Sequence, residues 1–239
     1  MHSPMAHTSL LPSDVDAAGS RDRAVRVAAA LTAALAYAGV ALQLWINVVG
    51  DANGYGPLGE TLHLVSYFTM TSNLVVAVVS TLLASDPART GRWFDALRLA
   101  ALVMISVTGI VYWLLLHGDP QAGVAWVANM LTHMVVPLAA VSSWLFLGPH
   151  GRFRWRLVPL MLVIPVAWLV HALIRGAVSG YYAYLFIDVT ALGYAGAGLN
   201  ILGVVALALV LAALFVGVDA LIGRFVTRDR PWGIPTEQA

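Results

Sequence analysis

Six long runs of apolar residues, separated by short polar breaks, organise this chain at about 24–49, 62–84, 96–116, 124–147, 157–175 and 199–221. Each approaches the roughly 20 residues a helix needs to cross a hydrocarbon layer about 30 Å thick. The breaks are built from turn formers and charges: Gly50-Asp51-Ala52-Asn53-Gly54, Ser85-Asp86-Pro87, Gly118-Asp119-Pro120 and Gly148-Pro149-His150-Gly151. The pattern predicts an all-α polytopic membrane protein, a bundle of six transmembrane helices spanning 24–221.

Charge adds an orientation. All the basic residues are arginine, and they fall at alternate breaks: Arg21, Arg23 and Arg26, then none, then Arg89, Arg92 and Arg98, then none, then Arg152, Arg154 and Arg156, then Arg175 alone, then Arg224, Arg228 and Arg230. Arginine concentrates on the cytoplasmic side of spanning helices, so the alternation predicts that both termini are cytoplasmic and that the protein resides in the cell membrane. Residues 1–23, rich in Ser, Asp, Pro and Ala, are expected to form a disordered cytoplasmic tail, and 222–239 a second tail. The small residues of Leu35-Ala36-Tyr37-Ala38 also permit a signal-peptide reading, but the apolar run continues to Val49, longer than a signal core requires.

Composition narrows the class. The 239-residue chain is 60% hydrophobic and 10% charged, with a formal net charge of +1 and no cysteine. A soluble domain carries about 25% charged residues, so a water-soluble fold is excluded. A near-neutral chain gives no footing for nucleic acid, and a metal site would have to use histidine or carboxylate.

One segment, about 177–198, breaks the pattern with Tyr181, Tyr182, Tyr184, Phe186 and Tyr194 around the single acid Asp188. Aromatic residues favour the membrane interface, so this segment reads either as a cap over the outer mouth of the bundle or as interfacial anchoring.

Polar residues inside the spans converge on one outer layer. At 1.5 Å per residue, Thr69 lies roughly 10 Å below the start of its span and His133 roughly 13 Å below the start of its own. Gln43, Asn47, Thr108, Tyr112 and His171 fall near the same level. Ser66, Thr69 and Asn73, with Ser72 beside them, are spaced to form one stripe, as are Asn129, Thr132, His133 and Pro137. Proline cannot donate to the carbonyl four residues earlier, which predicts a kink beside His133. Ser66, Ser72, Asn73, Thr108 and Asn129 read equally well as interhelical glue. An ionisable side chain at depth, as at His133, reads as functional by default.

A hydroxyl and an imidazole at one depth are the parts of a nucleophile and general base. In this reading Thr69 attacks, His133 takes its proton, Asn129 orients the ring, and Asn73 or Tyr112 supplies an oxyanion donor, with Ser72 and His171 as supporting candidates. Two other classes fit the same residues: a non-catalytic binder or transporter of a small amphipathic molecule, and a haem or metal protein using His63, His133 and His171.

The motifs Tyr67-Phe68-Thr69-x-x-Ser72-Asn73, Thr108-Gly109-x-Val111-Tyr112, His133-x-x-x-Pro137, Gly148-Pro149 and Tyr182-x-Tyr184-x-Phe186-x-Asp188-Val189, followed by Gly193-Tyr194 and Asn200, resemble a known group. They are similar, in family order, to bacterial six-span proteins related to the androgen-induced and androgen-dependent membrane proteins of animals. For the animal members the resemblance implies hydrolysis of fatty acid esters of hydroxy fatty acids by an intramembrane threonine and histidine, without a cofactor. By motif these are Thr69 and His133, with Thr71 as the fallback nucleophile. Tyr182, Tyr184, Phe186 and Asp188 become candidates for a substrate loop, and the expected partners are membrane lipids and a small lipid ester. Where the bacterial pattern often reads Tyr-Pro-Tyr-Pro-Phe, this chain has Tyr182-Ala183-Tyr184-Leu185-Phe186, a less rigid version of that loop.

Overall fold

The computed structural model describes residues 12–50, 53–118 and 121–228. Among these, helices are the only regular structure, and six are long and apolar enough to cross a membrane. We number the helices α1 (Pro12–Gly50), α2 (Gly56–Leu64), α3 (Phe68–Ser85), α4 (Arg92–Leu116), α5 (Gly123–Leu147), α6 (Trp155–Ser179) and α7 (Val189–Arg228). All but α2 are candidate spans. Their surfaces expose large apolar side chains such as Leu31, Leu114, Phe146, Leu199 and Leu202, as helices facing lipid tails do and water-soluble surfaces do not.

Helix α4 is the axis of the fold, with 61% of its most apolar window buried against 17% for α5, α6 and α7. One side of it packs with α1, α3 and α5 around Ala36, Val76, Ile105 and Val136. The other packs with α6, α7 and the α5–α6 connection around Leu99, Val103, Met161, Phe215 and Trp144. A third, aromatic cluster of Tyr184, Ile187 and Ala172 joins the α6–α7 loop to Tyr67 and Trp168.

The boundaries differ from the sequence pattern in three places. Helical structure begins at Pro12, within the segment expected to be disordered, while residues 1–11 and 229–239 of the two expected tails lie outside the described residues. Helix α7 begins at Val189, so the aromatic loop shortens to about 180–188; a non-helical residue, Gly193 (φ 67°, ψ 167°), kinks the first turns of α7. That left-handed φ is open to glycine at little cost, which is how the chain bends there.

The third difference matters most for the site. The second apolar run is two helices, broken at Tyr67, whose backbone is extended (φ −81°, ψ 135°). The Ser66 carbonyl that the break leaves over accepts the indole N–H of Trp168 from α6 (3.0 Å). A bond between helices thus replaces one within a helix. Ser66 therefore precedes the helix that carries Thr69 and Asn73, and the single stripe expected from spacing is interrupted. Thr69 becomes the second residue of α3.

Pro137 acts as its chemistry requires. The turn before it, Leu131–Val135, widens to a π-helix, and the Val136 N–H bonds to the Leu131 carbonyl. Gly109 of α4 sits against this turn; a Cβ there would lie 3.3 Å from the His133 carbonyl oxygen and 3.4 Å from Pro137. Helix α4 has its own π-turn at Tyr112–Leu116. Single π-turns of this kind recur at functional sites.

At the opposite end, where α1 enters and α7 leaves, Asp219 fastens the α5–α6 connection. Its backbone carbonyl accepts the Gly151 N–H (3.2 Å) and its carboxylate the Phe153 N–H (2.8 Å). A Cβ on Gly223 would fall 2.7 Å from Gly151 Cα, which is backbone and cannot swing away. Gly223→Ala is therefore expected to lower stability by about 1–3 kcal/mol through overpacking, read as a lower melting temperature of the detergent-purified protein; an unchanged melting temperature would contradict this crossing.

Candidate active site

Thr69 and His133 meet. The Thr69 hydroxyl donates to His133 Nε2 at 3.1 Å, across α3 and α5, and Thr69 is 7% exposed. The tautomer follows from the other ring nitrogen. Nδ1 lies 3.1 Å from the Asn129 backbone carbonyl and 3.1 Å from Thr132 Oγ1. The carbonyl can only accept, so Nδ1 carries the proton and the Nε2 lone pair faces the threonine. The Tyr112 ring stacks on the imidazole, centroids 4.0 Å apart and planes 25° apart.

The supporting residues take roles different from those expected of them. Asn129 orients the ring through its main-chain carbonyl; its side chain instead donates to the Tyr112 hydroxyl. Asn73 cannot serve as an oxyanion donor as placed, because its amide nitrogen is spent on the carbonyls of Thr69 (2.8 Å) and Thr132 (3.1 Å). It ties α3 to α5 and so fixes the pair. Ser72 likewise donates to the Thr69 carbonyl (3.0 Å) and accepts from Thr108 (2.8 Å), linking α4 to the same point. His171 reaches Ser66 Oγ (3.4 Å) and not the pair. Thr71, two residues on and about 200° around the helix from Thr69, has no part in this network.

The aromatic loop folds inward. Tyr184, 9% exposed, places its hydroxyl 3.5 Å from Thr69 Oγ1 and accepts the Thr69 N–H at 3.4 Å. Burial pushes its phenol pKa up, against opposing hydrogen bonds from Thr69 and the Phe68 backbone, so the group keeps its proton and can donate. Thr69 sits in the first turn of α3, where helix N–H groups have no partner within the helix. The Phe68 and Thr69 amides are directed at the Tyr184 hydroxyl oxygen and hold that group beside the nucleophile. Sequence spacing gave Tyr184 only a loop role, since nothing in it showed that Tyr67 ends a helix.

The other loop candidates divide. Phe186 lines a cavity beside Thr69. The Tyr182 ring fills the space over Gly176, where any Cβ would collide with it. Asp188 accepts from the Thr190 hydroxyl and N–H and the Ala191 N–H, a helix cap at the start of α7.

The cavity runs from Thr69 between α4, α6 and α7. It encloses roughly 940 Å³ counted to its open mouth, and apart from Thr69, Thr108 and Tyr184 its walls carry apolar side chains or the aromatic rings of Phe68, Phe186 and Trp168. Leu116, Val166 and Val205 line it and are also exposed on the outer surface of the bundle, so the cavity opens sideways between helices.

Over the pair lies a second polar group. Arg175 Nη2 donates to His63 Nδ1 (3.1 Å), which leaves Nε2–H to face the Tyr67 hydroxyl (3.3 Å), and Tyr67 in turn bonds Tyr181. The Arg175 guanidinium covers the Tyr181 ring at 4.7 Å. Glu60, fully buried, accepts from Asn53. Sequence reading gave His63 a part only as a haem or metal ligand and Arg175 none beyond the arginine count; the signal of Arg175 was being the lone arginine in a segment class that otherwise had none. Among the described residues no three histidine or carboxylate side chains converge as metal ligands, and His63, His133 and His171 are engaged in separate networks. Comparison with protein-family models, curated proteins and solved structures returns no match to this chain.

Burial first, and then the Arg175 charge, hold the His63 pKa below its ordinary value, with Glu60 opposing. A histidine whose folded pKa is depressed binds its proton more readily when unfolded, so stability is full above about pH 6.5 and declines as pH falls through that value. His63→Gln is expected to flatten this decline in melting temperature between about pH 7 and 5. An equally steep decline in the variant would show that another group governs it.

Proposed function

We propose that this protein is a membrane-embedded hydrolase of fatty acyl esters that uses Thr69 as nucleophile and His133 as general base. The observation that carries the reading is the 3.1 Å hydrogen bond from Thr69 Oγ1 to a His133 whose other nitrogen is held by Asn129, placed at the wall of an apolar cavity. Interhelical glue needs a hydroxyl and an acceptor; it needs neither a fixed tautomer nor a cavity.

In the reaction Thr69 Oγ attacks the ester carbonyl carbon while its proton passes to His133 Nε2. The carbonyl oxygen gains the negative charge and takes a hydrogen bond from the Tyr184 hydroxyl, which the first-turn amides of α3 hold beside Thr69. The intermediate collapses by breaking the bond to the alkoxy oxygen, which leaves with the proton from His133. Water, deprotonated by the same nitrogen, then attacks the acyl-threonine, and the fatty acid and free Thr69 result. Every step is proton transfer or acyl transfer, so no redox partner or cofactor is called for. The sideways mouth suits a substrate that arrives from the lipid phase.

The arginine alternation supports cytoplasmic termini and residence in the cell membrane, which sets the pair toward the outer leaflet. The motif resemblance supports kinship with the six-span relatives of the androgen-induced proteins. A non-catalytic carrier of a small amphipathic molecule would use the same cavity but gives no reason for an oriented imidazole on a hydroxyl.

Wild-type protein in detergent is expected to react with a fluorophosphonate probe, and Thr71→Ala equally, while Thr69→Ala and His133→Ala do not. Tyr184→Phe should retain the nucleophile but slow turnover by about a hundredfold or more, the loss typical of one oxyanion donor. Equal labelling of wild type, Thr69→Ala and His133→Ala would contradict the mechanism.

A further inference from the structure

A second cavity lies at the arginine-rich end, between α1, α3, α4 and α5, with roughly 540 Å³ counted to its mouth. Its walls are alanine, valine and leucine except for Thr32, Ser80, Ser143, Arg98, Trp144 and the Gly148-Pro149 turn. It shares no lining residue with the cavity at Thr69.

Two of those walls hold hydrogen-bond donors with nothing to donate to. Arg98 is 3% exposed and its Nη1 makes no hydrogen bond; Trp144 is 7% exposed and its Nε1 makes none. A buried donor left unpaired is costly, so two in the walls of one space need an explanation. The neighbouring acids Asp95 and Asp219 offset the Arg98 charge but accept no hydrogen bond from its Nη1. Asp95 and Asp219 each keep a buried, unpartnered oxygen of their own, Asp219 spends its other oxygen on Phe153, and neither borders the cavity. The Arg98 guanidinium lies over the Phe153 ring at 5.4 Å, which covers one face and leaves its edge available.

We infer that this cavity binds the carboxylate of a fatty acid, the two oxygens taking the Arg98 and Trp144 donors and the chain lying along the apolar walls of α1 and α5. The chemistry is that of an amphipathic anion: two hydrogen-bond donors in the walls and hydrocarbon elsewhere. The inference stands apart from the hydrolase reading, because the site uses none of Thr69, His133 or Tyr184.

The test uses full-length protein in phosphatidylcholine nanodiscs with a photoreactive, alkyne-tagged palmitate, followed by peptide mapping. Saturable crosslinks are expected in residues 25–32 and 140–147, displaced by oleate but not by methyl oleate, lysophosphatidate or inorganic phosphate. Arg98→Gln should weaken binding about tenfold or more, since a hydrogen bond to a charged group is worth about 1.5–3 kcal/mol. Trp144→Phe keeps an aromatic ring at this position while removing the N–H donor, so a severalfold loss there tests the site should Arg98→Gln not fold. Thr69→Ala should label these segments as wild type does, whatever its effect on hydrolysis. Labelling that methyl oleate displaces equally, that phosphate or lysophosphatidate displaces better, or that Trp144→Phe leaves unchanged would overturn the inference.

Discussion

Within an apolar layer no water waits to satisfy a backbone group that a helix releases, and the site depends on how this chain meets that constraint. Pro137 withholds a donor from the His133 carbonyl, and the break at Tyr67 frees the Ser66 carbonyl. Trp168 of α6 donates to the Ser66 carbonyl, and Gly109 lets α4 close on the widened turn that carries His133. Both irregular turns are thus held in place by the packing of α4 and α6. Thr69 and His133 both sit in these irregular turns.

The same logic explains why the surrounding polar groups are structural. Asn73 and Ser72 converge on the Thr69 carbonyl, and Asn73 continues to Thr132, so α3, α4 and α5 are joined at one residue. Hydrogen bonds between membrane helices average about 0.6 kcal/mol each, too little to hold a fold singly. Together they fix one side-chain geometry, and preorganised geometry is what an acyl-transfer site requires. The loop closes the arrangement by bringing Tyr184 to the opposite side of the threonine.

Much of this was legible from residue spacing. Six apolar runs foretold six helices long and apolar enough to cross a membrane, and the depth arithmetic brought Thr69 and His133 to one level, though the start of α3 at Phe68 was not visible. No proline or glycine marks the Tyr67 break; the carbonyl it frees is satisfied by Trp168, about a hundred residues away, and a contact of that kind leaves no local pattern. Asn129 illustrates the same limit from the other side. Its position beside His133 was apparent, but whether the main chain or the amide would orient the ring depended on Tyr112, on another helix. Arg98 looked like one more arginine at a membrane face, and only packing shows that it is buried without a full set of partners.

The central claim is that Thr69 Oγ forms a covalent bond with an acyl group. The most direct measurement is intact-protein and peptide mass spectrometry after rapid acid quench of purified protein with an activated ester such as 4-nitrophenyl decanoate. The account predicts a mass increase of one decanoyl group on the peptide carrying Thr69, absent from Thr69→Ala and discharged on dilution into buffer. Ester turnover without any acyl adduct, or an adduct on another residue that persists in Thr69→Ala, would contradict it.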